Sequence, residues 1–159
     1  MINVSMADEI LKLITGTTTS STLTSTGKCY LGFSSTTPNA DGTNFTEPDK
    51  TTYPSYRRVQ LNIREASQYT NLWGSVANGT VSNAKEITSA ECKEAGGWPT
   101  FTHFGIFGQE TGGEFLMADE LTDPEGSPDS NGRYPAKSLT VAQNHVAILS
   151  IGKLQLKLS

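Results

Sequence analysis

The twenty residues from Trp98 to Met117, Trp-Pro-Thr-Phe-Thr-His-Phe-Gly-Ile-Phe-Gly-Gln-Glu-Thr-Gly-Gly-Glu-Phe-Leu-Met, constrain this chain more than any other stretch. Their apolar side chains are denser than elsewhere in a Thr/Ser/Asn/Gly-rich sequence. A polar turn with the Gly112-Gly113 pair separates two apolar runs, which is the pattern of a β-hairpin. Strands are expected near Thr100 to Phe107 and near Glu114 to Ala118. Alternation predicts Phe101, His103 and Phe107 on one face and Thr102, Phe104 and Ile106 on the other. A histidine in that company is expected to be a buried packing residue rather than a catalytic one.

The remaining periodicity is also of the strand type. Cys29, Leu31 and Phe33 alternate with Tyr30, Gly32 and Ser34, and Val59, Leu61 and Ile63 with Arg58, Gln60, Asn62 and Arg64. The second run reads as one half-buried strand with a wet face. Weaker strands are expected near Tyr69 to Trp73, Val76 to Val81 and Lys85 to Thr88, with a turn at Asn78-Gly79. Val146 to Ile151 and Lys153 to Ser159 read as a closing strand pair. Residues 35–53 and 122–136 are long polar loops, a length that usually marks a functional or contact segment.

One helix is expected, over residues 5 to 15. Ser5 caps it with Asp8 three positions on, Gly16 closes it, and Met6, Ile10, Leu13 and Ile14 form its apolar stripe. So short a helix must dock, either on its own sheet or on a neighbouring subunit. Residues 17 to 26 read as a flexible Thr/Ser connection or edge. At 159 residues the chain fits one domain. The fold class is therefore all-β: an antiparallel β-sandwich or jelly-roll-like domain over residues 17–159, with one short N-terminal α-helix within residues 1–16 for docking or oligomer contact.

Chemistry is sparse. Two histidines and two cysteines, at positions 103/145 and 29/92, match no zinc spacing. Cys29 and Cys92 read as buried small hydrophobes. Asp123-Pro-Glu-Gly-Ser-Pro-Asp-Ser-Asn lacks the order of a calcium loop and reads as a solvated turn. His145 has no acidic neighbour in sequence. Glu114, Asp119 and Glu120 read as a polar rim of the hairpin, and Arg57-Arg58 as strand charges facing water, with a pair that binds a carboxylate or phosphate as the alternative. Trp73, Trp98, Tyr53, Tyr56, Tyr69 and Tyr134 are candidate sugar-stacking platforms, or covers of a core edge or oligomer interface. Catalytic, cofactor-binding and metal residues are accordingly none.

A net charge of −4 argues against nucleic acid as a partner. No stretch approaches the ~20 apolar residues of a membrane span, and no signal peptide is evident. Synthesis in a bacterial host cytoplasm is expected.

The order of several blocks is itself informative. The helix residues Glu9, Ile10 and Leu13 precede Tyr30-Leu-Gly-Phe-Ser-Ser-Thr-Thr-Pro, Asp41-Gly-Thr, Thr46-Glu-Pro and Tyr56-Arg-Arg-Val. Trp98, Thr102-His-Phe-Gly-Ile-Phe, Thr111-Gly-Gly and a terminal strand of alternating leucines follow. This series resembles a family of small tailed-bacteriophage and prophage proteins labelled phage tail fibre or minor virion structural proteins. Departures are Pro99 in place of the family's usual Gly, Gly108 in place of Asp, and a longer 122–136 loop. The resemblance implies no catalytic residues. It implies a non-enzymatic virion component, tail-associated or a capsid-surface decoration or head-fibre protein. Such a protein would act by assembly with itself, as a homo-oligomer such as a trimer or closed ring, and with other virion proteins. A host-surface carbohydrate-binding module is the alternative.

Overall fold

The computed structural model describes residues 10–12, 29–65, 68–113 and 115–157. Ten antiparallel strands make up almost all of its regular structure. They are β1 (Tyr30–Ser34), β2 (Val59–Gln60), β3 (Asn62–Glu65), β4 (Gln68–Asn71), β5 (Thr80–Ser82), β6 (Ile87–Thr88), β7 (His103–Phe107), β8 (Phe115–Glu120), β9 (Ile148–Leu149) and β10 (Gln155–Lys157). The largest sheet has the order β2-β1-β7-β8, and three two-stranded ribbons, β3-β4, β5-β10 and β6-β9, complete the set.

The hairpin is the centre of the main sheet. β7 and β8 pair from His103↔Glu120 to Phe107↔Phe115, with an irregularity after Ile106. β7 also pairs along its whole length with β1, from Tyr30↔Phe107 to Ser34↔His103. Pairing partners share a face, so Leu31, Phe33, Phe104 and Ile106 point to one side. There they join Val81, Ile87 and Leu156 of the ribbons, and Leu154 just before β10, in one buried cluster. The core thus lies between the main sheet and the ribbons, a sandwich-like arrangement of two layers.

Every residue of β1 is buried. A strand with one wet face could not be so, and the outer face of the main sheet is covered as well. The cover is the polar loop 35–53.

Several elements depart from the sequence pattern. The run Val59 to Arg64 is two strands, not one: it breaks at Leu61, whose N–H donates to the Cys29 carbonyl. β2 then stays with β1 while β3 leaves for β4. Asn62, assigned to the wet face, is buried and its Oδ1 accepts the Cys29 N–H. β9 and β10 do not pair with each other. β9 returns to β6 and β10 to β5, because a turn at Ile151-Gly152 sends the chain across Asn83 instead. Asn83 Oδ1 accepts the Leu154 N–H and its Nδ2 donates to the Ser150 carbonyl. The Asn78-Gly79 turn does form, with both residues at positive φ (53° and 68°) and reciprocal hydrogen bonds between Ala77 and Thr80.

Residues 10–12 are helical. Leu11 is fully buried and Ile10 packs against the same cluster. This turn of the helix therefore docks on its own domain, and Leu11, outside the expected stripe, is its buried residue. The rest of the expected helix and the 17–26 connection lie outside the described residues.

Candidate functional site

The outer face of the main sheet is built around two glycines. Gly32 and Gly105 are partners across β1 and β7, and two missing side chains side by side leave a shallow trough. The loop 35–53 lies in it as a strap. A Cβ on Gly105 would meet the Phe45 ring at 2.6 Å, and one on Gly32 would meet Glu47 Oε1 at 2.7 Å. Phe45 sits edge-on to Phe107, with ring centroids 5.0 Å apart, and tilts against Phe115 at 6.0 Å.

Arg58 locks the strap. Its side chain is 7% exposed. Nε lies 3.0 Å from both Glu47 carboxylate oxygens, and the guanidinium carbon stands 3.4 Å over the centre of the Phe107 ring. Nη1 donates to the carbonyls of Gln109 and Gly112, at 2.9 and 2.7 Å, in the turn of the central hairpin. A planar fork with several donors suits this task, since one side chain satisfies a carboxylate and two carbonyls together. Tyr56 completes the node: its hydroxyl accepts the Phe33 N–H at 2.8 Å and donates to Glu47 Oε1 at 3.0 Å. Burial, and then the charge of Glu47, push the Tyr56 phenol well above its ordinary range. Arg58 is thus not a strand charge facing water. Arg57, its neighbour, is the exposed one.

A second polar knot fixes the segment after the strap. Ser55 N and Oγ both donate to the Glu94 carboxylate, Trp98 Nε1 donates to it at 3.0 Å, and the Cys92 thiol approaches it at 3.4 Å. Desolvation alone would raise the Glu94 carboxyl. The hydrogen bonds from Ser55, from its own backbone and from Cys92 outweigh it and hold the group at about 2. Burial raises both thiols, Cys29 up to about 12 against a hydrogen bond with Trp73. Both cysteines are buried and free, and a thiol so disfavoured as thiolate is a poor nucleophile.

The two histidines belong to different parts of the molecule. His103 starts β7 and is half-buried, not sealed in as the alternation predicted. Its Nδ1 lies 2.9 Å from Thr102 Oγ1. Phe101 does not share its face, because β7 begins only at His103. Phe101 instead bridges to Leu139 and stacks on Phe33 in the core. His145 is exposed, with Nδ1 2.9 Å from the Gln143 carbonyl. Among the described residues no group of three or more His, Cys, Asp or Glu side chains is placed to hold a metal. Asp123 and Asp129 serve their own loop: Asp123 pairs with Lys137, and Asp129 Oδ1 accepts the Asn131 and Arg133 N–H groups.

Among the described residues, the candidate aromatic side chains do not form a platform; the Tyr69 side chain lies outside them. Trp73, Trp98 and Tyr56 are buried in the core, Tyr53 is half-buried, and Tyr134, on the second long loop, is exposed. That loop shares its end of the sheet with a cleft of about 410 Å³. Phe33, Phe104, Leu121, Leu139, Leu149 and Leu154 line it, and Asp119, Glu120, Lys137 and Lys153 also stand at it.

Arginine, glutamate, tyrosine and paired glycines committed to fixing a strap and a hairpin define a β-rich structural module. Its sequence agrees with that class. A family model described as podophage GP4 fiber I protein gp80 matches residues 4–156. The chain belongs to this family of phage fibre proteins, and so to the structural components of a virion. A search of the curated proteins gives no match.

The node also accounts for the sequence blocks. Glu47 of Thr46-Glu-Pro, Tyr56 and Arg58 of Tyr56-Arg-Arg, Gly105 and Phe107 of Thr102-His-Phe-Gly-Ile-Phe, and Gly112 of Thr111-Gly-Gly meet at one place. No residue pattern in the sequence announces this meeting. The available hint is Phe45, a lone large apolar side chain inside a polar loop, which must bury against something.

Proposed function

We propose that the chain is a non-enzymatic fibre component of the phage particle that works by symmetric assembly with copies of itself and by attachment to other virion proteins. The observation that carries this reading is the node. The residue types that would ordinarily make a site, Arg58, Glu47, Tyr56, Glu94 and Trp98, are engaged in holding loops to the sheet. Membership of a phage fibre family supports the same reading. Weak contacts per copy are strengthened when several copies engage a particle together.

The reading places docking on exposed surface near the second loop, not on the strap or on the helix turn at Ile10 and Leu11. The glycan-recognition alternative loses Trp73, Trp98 and Tyr56 as stacking platforms; of the candidates whose side chains are described, Tyr53 is half-buried and Tyr134 exposed. Immunogold or cryo-EM localisation on purified particles tests the main proposal and separates tail from capsid. Density for the chain at a regular site on the particle is expected. Virions devoid of it would remove the proposal.

A further inference from the structure

We propose that the cleft between the end of β8 and the C-terminal strands receives a second copy of this chain, each copy seating Ile148 and Ile151 in the cleft of the other. This rests on the assembly reading above and names its contact face. The cleft, of about 410 Å³, has a floor of Phe33, Phe104, Leu139 and Leu154, the size and lining of a hollow that takes apolar groups. The most exposed large aliphatic side chains of the described residues are Ile148, at 54%, and Ile151, at 65%. Ile148 lines the cleft itself, and Ile151 follows Ser150, which also lines it. Branched aliphatics held in water beside an open apolar hollow are the two halves of one packing contact.

The charges decide the occupant. Two carboxylates, Asp119 and Glu120, and two lysines, Lys137 and Lys153, stand around the cleft. A face that meets its own copy must carry both signs, because like charges brought together repel. A one-signed rim would instead select a foreign partner of opposite sign. The rest of the chain, with a net charge of −4, repels itself weakly, so a balanced rim is where two copies approach best. Lys137, Lys153 and Glu120 are already held in partly exposed ion pairs with Asp123, Glu125 and Arg133. Such pairs exchange partners at little cost. Knob and hollow lie on one patch, so the contact is isologous, with a two-fold axis between the copies.

Sedimentation velocity and light scattering on the full chain, from about 1 to about 100 μM, test this. A concentration-dependent pairwise assembly is expected. Ile151→Asp and Ile148→Asp, both at exposed positions, should each weaken it about thirty-fold or more, with circular dichroism and the melting temperature of the dilute monomer unchanged. Lys153→Glu should weaken it less, and Lys153→Glu with Asp119→Lys should recover part of the loss. A chain that stays monomeric throughout overturns the proposal, as does an oligomer that neither isoleucine variant perturbs. Either failure leaves the fibre reading standing if particles carry the chain. Conversely, pairing through this face in a chain absent from particles would remove the fibre reading and keep the contact.

Discussion

The strap at 35–53 and the loop at 122–136 look alike as sequence and behave as opposites in the fold. Both are long and polar, and both carry Pro, Gly and Asp. They serve opposite ends of the same hairpin: the strap is held at the turn beyond Phe107, while the second loop leaves from Glu120, across from His103. The strap sends Phe45 between Phe107 and Phe115 and is held by a guanidinium with almost no contact with water. The second loop has no such anchor. Residues 127–138 are all exposed, and the loop is closed by short backbone bonds, such as Asp123 N–H to the Pro135 carbonyl at 2.8 Å, and by surface ion pairs. One loop is pinned to the sheet through the half-buried Phe45 and Glu47, with its other side in water. The other is a surface whose shape depends on water-exposed charges. Loop length and polarity therefore do not separate a contact arm from a structural brace; the partners available to the loop do.

The contrast is broken most forcefully at Arg58. Arg58→Ala leaves Glu47 without its cation, with the Tyr56 hydroxyl still donating to it, deprives two hairpin carbonyls of the guanidinium and strips the Phe107 ring of its cation. Loss of one partner of a buried pair costs about 3–5 kcal/mol, and a melting temperature about 10 °C lower or more is expected for a chain of this size. A thermal melt that moves by only a degree or two would place the strap in the same class as the second loop. Gly105→Ala probes the same brace sterically, since the added methyl meets Phe45 at 2.6 Å. A loss of about 1–3 kcal/mol is expected, measured as a lower urea midpoint. Phe45→Ala should reduce the cost of the added methyl at Gly105 in a double-mutant cycle, leaving the tight approach to the Phe107 ring at 3.0 Å.

The main sheet is legible in the sequence because its signals are local. The hairpin has a period of two, a Gly-Gly turn and aromatic strands, and β1 shows the same alternation. The strap is not legible because its anchors are remote: Glu47 lies 11 positions from Arg58, and Gln109 and Gly112 lie 51 and 54 positions from it. Periodicity carries no record of such pairs, so Arg58 reads as one more charge on an alternating strand. The split of the Val59 to Arg64 run hides for a related reason. Asn62 looks like a wet-face residue until its Oδ1 is needed by the Cys29 N–H. The closing strands mislead differently, since neighbours in sequence usually pair, and here Asn83 occupies the backbone groups that a tight hairpin would use. Burial of Cys29 and Cys92 was readable, whereas the core positions of Trp73 and Trp98 were not, because an aromatic at a strand end has the same sequence signature inside or outside.

Acid sharpens the comparison at intermediate size. Glu94 ties down Ser55 at the far end of the strap, and its folded carboxyl is held at about 2, below the usual 4.5. A depressed carboxyl contributes stability that is present above the unfolded value and is lost as pH falls through the folded one. Stability should therefore decline between about pH 4.5 and pH 2, and Glu94→Gln should flatten that part of the profile in urea melts run at each pH. An unchanged slope in the variant would assign the acid sensitivity to other carboxylates. Asp123, on the second loop, is also lowered, by the Glu125 N–H first and then by Lys137. Its side chain is partly exposed and its shift is the smaller one, so Asp123→Asn should flatten the profile less than Glu94→Gln does.

The smallest effect belongs to the second loop and tests the comparison from its other side. Arg133 reaches Glu120 Oε2 at 2.9 Å, yet the arginine side chain is 62% exposed. In water the attraction between such charges is largely offset by solvation and by the freedom lost in holding two long side chains together, so the pair contributes about 0–1 kcal/mol. Arg133→Ala should shift the melting temperature by no more than about 2 °C, with salt removing what little difference there is. The same chemical pairing, arginine with glutamate, then spans several kcal/mol within one molecule, and burial together with the carbonyl and ring contacts of Arg58 accounts for the difference. Should Arg133→Ala instead destabilise as strongly as Arg58→Ala, the second loop would be a brace too, and the surface assigned to docking would have to lie elsewhere.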